Sequence, residues 1–206
     1  MHDIFLQNLL KTFIAIDPLS LIPLFAVMTS SLDRKKLIKL SFLVFVISLS
    51  VLTFFLIFGN KFLIFMGVSI YSFQIIGGIF LLFISFEMVF EKRTNRKQSM
   101  SDEILDDNSI KSMAVFPISI PLIAGPSVIT LSVLISENLS LSFNSFYTQF
   151  LPTLIILLIT SMMIFFSAYI LKILSKTIIT VIQKIFGIIL GALSIEFIIN
   201  GIKGVL

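Results

Sequence analysis

Cysteine and tryptophan are absent from this chain, and histidine occurs once, as His2. The missing thiols exclude disulfide scaffolds, iron–sulfur clusters, thiolate zinc sites and cysteine nucleophiles. A lone histidine excludes histidine-rich metal sites and leaves a histidine-based catalytic triad implausible. Charge is scarce as well: 13% of the 206 residues are charged, against roughly 25% in a soluble domain. In its place stand 57% hydrophobic residues, 23 of them Phe, and a mean hydropathy of +1.11. Such a chain is too apolar for a soluble domain. Its net charge of +4 and pI near 9.4 point to basic cytoplasmic loops rather than to nucleic acid.

A membrane-crossing helix needs about 20 apolar residues. Leu40 to Asn60 is free of charge over 21 residues, Phe62 to Phe86 over 25, Ser112 to Ser136 over 25 and Asn138 to Leu171 over 34. The last run is too long for one span, and its start, Asn138 to Gln149, is rich in Ser, Asn and Thr, which reads as a loop. Ile4 to Met28 and Thr177 to Leu206 are apolar apart from Lys11 and Asp17, and Lys184, Glu196 and Lys203. Spans are therefore expected near 4–29, 38–59, 65–90, 113–135, 150–173 and 178–203. No dyad alternation of the barrel kind is present. Met1-His2-Asp3 lacks a basic start, so a cleavable signal peptide is not expected.

Lys and Arg set the orientation. Twelve of the 15 basic residues fall in the connections between spans 1–2, 3–4 and 5–6 or beside them; Lys11, Lys61 and Lys203 belong to the other side. Both termini are expected outside the cell (inner) membrane. The polar segment 91–112, basic at Lys92, Arg93, Arg96 and Lys97 and acidic at Asp102, Glu103, Asp106 and Asp107, reads as a solvated cytoplasmic linker between two parts, 1–90 and 113–206.

Those two parts resemble each other. At an offset of 103, Phe13, Pro18, Leu19 and Pro23 coincide with Phe116, Pro121, Leu122 and Pro126. At an offset of 109, Gln74, Gly78, Ile79, Leu81, Ser85 and Glu87 coincide with Gln183, Gly187, Ile188, Leu190, Ser194 and Glu196. Three spans is an odd number, so a second copy enters the membrane from the opposite side. The expected fold is an all-α polytopic membrane protein: six transmembrane helices in an inverted 3+3 repeat, with the first and fourth helices broken. In secondary transporters so built, the solute sits between the halves.

The chemistry is expected at the breaks. A proline inside a helix removes a hydrogen bond and clashes with the preceding turn, and in lipid the freed groups need other partners. Asp17-Pro18 reads as a helix start, with Asp17 as cap and Pro18 in the first turn; Ser20 and Pro23 follow. In the fourth span Pro121 precedes Ala124-Gly125-Pro126-Ser127, where Gly125 permits a sharp path, and Thr130 lies one turn on. A half-helix N-terminus attracts a carboxylate. The fourth-span break, having no acidic side chain, suits that group; Asp17 suits an ammonium or a coupling proton. The plainer reading makes the prolines kinks and Asp17 a cap. Gly77, Gly78, Ser85, Gly187, Gly191 and Ser194 form small-residue faces suited to close helix packing. Glu87 and Glu196 are expected to be hydrated near span ends, and Lys11 and Lys184 to snorkel to the interface.

Ile16-Asp17-Pro18-Leu19-x-x-Ile22-Pro23-Leu24-Phe25 and Pro121-Leu122-Ile123-Ala124-Gly125-Pro126-x-x-Ile129-Thr130 resemble the two signature stretches of the MarC family. Gly77-Gly78-Ile79-Phe80-Leu81-Leu82 and Asn200-Gly201-Ile202 resemble it too. The chain departs from that pattern at Ser20-Leu21, where the family carries Gly-Asn, and at Ser127, where it carries Gly. The resemblance implies an inner-membrane protein of six spans with two broken helices. For some members it implies proton-driven uptake of glycine or alanine. A secondary transporter of a small zwitterionic solute is therefore expected, with the lipid bilayer as its surroundings and no cofactor or metal. The alternative is a non-transporting membrane protein, an assembly factor or partner subunit. Without paired carboxylates, a serine–histidine pair or a metal cluster within the spans, an enzyme is not expected.

Overall fold

Proline, glycine and capping residues decide where these apolar helices stop. The computed structural model describes residues 2–30, 32–90, 110–137, 142–173 and 175–206, and among them it is helical with no strand. The helices are α1 (His2–Ile16), α2 (Pro18–Met28), α3 (Arg34–Phe65), α4 (Ile70–Val89), α5 (Ile110–Ile123), α6 (Pro126–Ser136), α7 (Phe143–Ile173) and α8 (Lys176–Val205). Asp33 caps α3 through the Lys36 N–H at 2.8 Å, and Ser175 caps α8 through the Ile178 N–H at 3.3 Å. α3, α4, α7 and α8 are each long and apolar enough to cross a membrane. α1 with α2, bent by 42°, and α5 with α6, bent by 67°, raise the number to six if each bent pair is one span.

Three boundaries differ from the expected ones. α3 runs to Phe65, and Gly67, at φ 70°, turns the chain left-handed before Ser69 caps α4, so the third span starts at Ile70. The stretch read as a loop is helical from Phe143 onward, with a widened π-type turn over Phe146–Phe150. Its polar groups bond locally or to α1: Thr148 Oγ1 donates to the Asn144 carbonyl at 2.8 Å, and Asn8 Nδ2 donates to the Thr148 carbonyl at 2.7 Å. Pro23 lies inside α2 and does not break it. Of the expected linker, residues 91–109 lie outside the described ones.

Small residues let α4 and α8 pack antiparallel along their length. A methyl placed on Gly78 would lie 2.8 Å from the Ser194 carbonyl oxygen, and one on Gly187 would lie 3.2 Å from that of Ser85. Ser85 Oγ donates to the Gly187 carbonyl at 2.8 Å. The small-residue faces thus serve packing, as expected. Most of the remaining contacts cross between the two parts, several of them reciprocally. α2 packs on α7 and α6 on α3; α1 packs on α7 and α5 on α3; α3 packs on α7. The buried core lies around the bends, with Ile16, Leu21, Phe25, Ile118, Ile123 and Leu157 below 2% exposure.

Candidate functional site

At the first bend the proline ring disfavours the right-handed helix for the residue before Pro18. Asp17 takes the left-handed conformation, φ 54° and ψ 62°, which a short polar side chain tolerates better than most. From there it caps α2: Asp17 Oδ1 accepts from the Ser20 N–H at 3.4 Å, and Ser20 Oγ donates to the Asp17 carbonyl at 2.9 Å. Pro18 is the first residue of α2.

The second bend is more irregular. Phe116 and Ile120, each preceding a proline, leave helical geometry at φ −132°, ψ 126° and φ −128°, ψ 122°. The chain then turns at Ala124, whose N–H donates to the Ser119 carbonyl at 2.8 Å, and enters α6 through Gly125. A side chain there would meet the Pro121 carbonyl oxygen at 2.7 Å, which accounts for the glycine. No side chain caps α6, so its N-terminal N–H groups keep their positive field without an acidic neighbour in sequence.

The two bends touch. Ser127 Oγ, in the first turn of α6, donates to the Ala15 carbonyl at 3.1 Å, at the end of α1. Asp17, Ser20, Ala124 and Ser127 are all below 4% exposed, so both bends are closed inside the protein. Ser20 and Ser127, the two positions of departure from the MarC pattern, both donate to carbonyls at the first bend. Other expected site residues stand apart. Pro126 is exposed, Pro23 lies beyond the first turn of α2, and the Thr130 methyl packs on Gly77 of α4.

A polar cavity of about 480 Å³ lies between α1, α4, α6 and α7, apart from the bend residues, and the sequence gives no signal of it. Gln7, Asn8 and Lys11 of α1, Gln74 of α4, Glu137, and Gln149 of α7 contribute its polar groups. Lys11 therefore faces a cavity rather than snorkelling outward, its Nζ 5.9 Å from the centre of the Phe197 ring. Glu87, expected to be hydrated, is buried at 7% exposure where α8 covers α4, whereas Glu196 is exposed. Scattered polar residues on three separate helices carry no spacing signal, so the cavity had no signature in sequence. Among the described residues no group of three or more His, Asp or Glu gathers to hold a metal ion.

The profile of the MarC family integral membrane proteins matches residues 2–206. The chain belongs to the MarC family. It is accordingly an integral membrane protein, in keeping with its apolar helices. MarC relatives include a UPF0056 membrane protein of Buchnera aphidicola subsp. Acyrthosiphon pisum, 36% identical over 200 residues, covering 92% of this chain and 87% of the relative. A UPF0056 membrane protein of Methanocaldococcus jannaschii is 30% identical over 203 residues, covering 98% and 88%. The UPF0056 membrane protein YhcE of Escherichia coli is 28% identical over 203 residues, covering 98% and 93%. No solved structure matches this MarC chain.

Proposed function

We propose that this MarC protein is a secondary transporter of small neutral amino acids of glycine or alanine size, coupled to protons. It would work as an inverted 3+3 repeat of six spans, with both termini on the outer face of the inner membrane. The observation that carries this reading is the hydrogen bond from Ser127 to the Ala15 carbonyl. It joins a bend holding a carboxylate, Asp17, to the uncapped N-terminus of α6. Those opposite local charges, on segments joined by that bond and screened from water, match the ammonium and carboxylate of a zwitterion.

Two further observations support the six-span repeat. Gly78 packs on Ser194 while Gly187, its counterpart at the offset of 109, packs on Ser85, the counterpart of Ser194. Such a reciprocal pair is what a two-fold axis produces. The Asn60 N–H donates to Ser136 Oγ at 2.8 Å, so the end of α3 sits beside the end of α6. The first residues of α1 share the polar cavity with Glu137 and Asn144. The start of α1 is therefore level with the end of α3, which fits a crossing by α1 and α2 together.

The test is uptake of labelled glycine and alanine by proteoliposomes, with and without an inward proton gradient. Gradient-driven accumulation is expected, and Asp17→Asn and Gly125→Leu are expected to abolish it. Uptake indifferent to both variants would remove the site. The closed state of the bends favours the second reading, a partner subunit without transport. Its signature would be a stoichiometric co-purifying protein together with no uptake.

A further inference from the structure

The polar cavity holds binding capacity that the fold does not use. Lys11 is half-buried in the membrane-embedded part of α1, where an unneutralised charge is costly. Its Nζ lies over the Phe197 ring, and among the described residues it makes no hydrogen bond or ion pair. Glu196 acts on it through space, but that carboxylate is exposed and Oε1 accepts from Asn200 Nδ2 at 3.2 Å. Gln74 also lines the cavity, with its Oε1 buried rather than open to it. Glu137 adds an anionic group to the lining, and exposed Ile4, Gln7 and Asn144 form part of its open side.

We propose that this cavity is an outer docking site for small zwitterionic amino acids, with Lys11 as the anchor for their carboxylate. The α-ammonium faces Glu137 on the same lining. The volume of about 480 Å³ exceeds what one glycine or alanine fills, so the solute docks with water around it. Selectivity for side-chain size is therefore weak here. The site lies on the way to the bends. Lys11 is six residues from Asp17, about 9 Å along α1, and Leu131, on the cavity wall, is one turn from Ser127. The excess of basic residues on the opposite side of the membrane places its opening on the outer face. The direction of travel rests on the transport reading; the binding does not.

The test measures binding of glycine, alanine and glycinamide, which lacks the carboxylate, to the purified full chain. Lys11→Met, Lys11→Arg and Glu137→Gln are compared with the parent, and their unliganded unfolding temperatures report on folding. Lys11→Met is expected to raise the Kd for glycine about tenfold, the size of one charged hydrogen bond, and to leave glycinamide unchanged. Lys11→Arg restores glycine binding, and Glu137→Gln weakens glycine and glycinamide alike. Glycine binding unmoved in a folded Lys11→Met protein, or no glycine binding by the parent, overturns the site. Uptake whose KM ignores Lys11→Met overturns it too, while leaving transport standing. Lys11-dependent binding without any uptake upholds the site and removes transport instead.

Discussion

Asp17 carries two demands at one position. It must accept a left-handed backbone, and it must cap α2 with a side-chain oxygen. Asparagine meets both, because its short amide tolerates that conformation and caps as well as aspartate. Asp17→Asn is therefore expected to unfold at the parent's temperature in detergent while losing its charge. Asp17→Ala loses the cap and strains the backbone, and a loss of about 1–2 kcal/mol is expected in the same measurement. The pair separates charge from architecture: uptake lost in a stable Asp17→Asn protein assigns the loss to the carboxylate. Asp17 was legible in the sequence because Asp-Pro is a local signal. The placement of Lys11 is not legible there, because a single lysine in a span looks the same whether it meets lipid headgroups or a cavity.

At the scale of elements, α4 and α8 show how membrane helices associate. Lipid provides little hydrophobic drive between them, so close packing and hydrogen bonds hold the pair. Gly78 is one of the points of close approach, with the Ser194 carbonyl oxygen 2.8 Å from any added Cβ. Gly78→Ala must push two backbones apart, and a cost of about 1–3 kcal/mol is expected, as for an overfilled core. Thermal unfolding in detergent checks it. A variant as stable as the parent would show that the two helices slide freely. The glycine spacing made this face readable beforehand. The start of α7 was not readable, because Ser, Asn and Thr are common both in loops and on a helix facing a polar cavity. Only the placement of α1 against that helix distinguishes the two. The second bend likewise holds more than the Ala-Gly-Pro motif suggested, since Phe116 and Ile120 also leave helical geometry ahead of their prolines.

For the whole molecule, the number of crossings fixes which ends share a side. Absence of native cysteine makes single-cysteine labelling clean. With six crossings, Met66→Cys and Asn144→Cys are expected to react with an impermeant maleimide added to intact cells, and Lys35→Cys only after permeabilisation. If the bent pairs were re-entrant loops, position 144 would label with position 35 instead of position 66. That outcome would remove the inverted repeat and the shared central site. The reciprocal packing of α2 on α7 and α6 on α3 belongs to the same scale, for it depends on how the two parts face each other.

Composition and spacing alone determined that this chain lives in a membrane, roughly where its apolar helices run, and that Asp17-Pro18 and the Ala-Gly-Pro stretch interrupt two of them. Those properties depend on runs of neighbours: a helix needs only its own apolar length, and a break only its own proline. Tertiary packing decided that the two bends meet through Ser127 and Ala15, that they are closed, and that Lys11 and Gln74 line one cavity. These pairs are separated by between 63 and 112 residues. Their meeting depends on how whole helices dock, which no local pattern encodes.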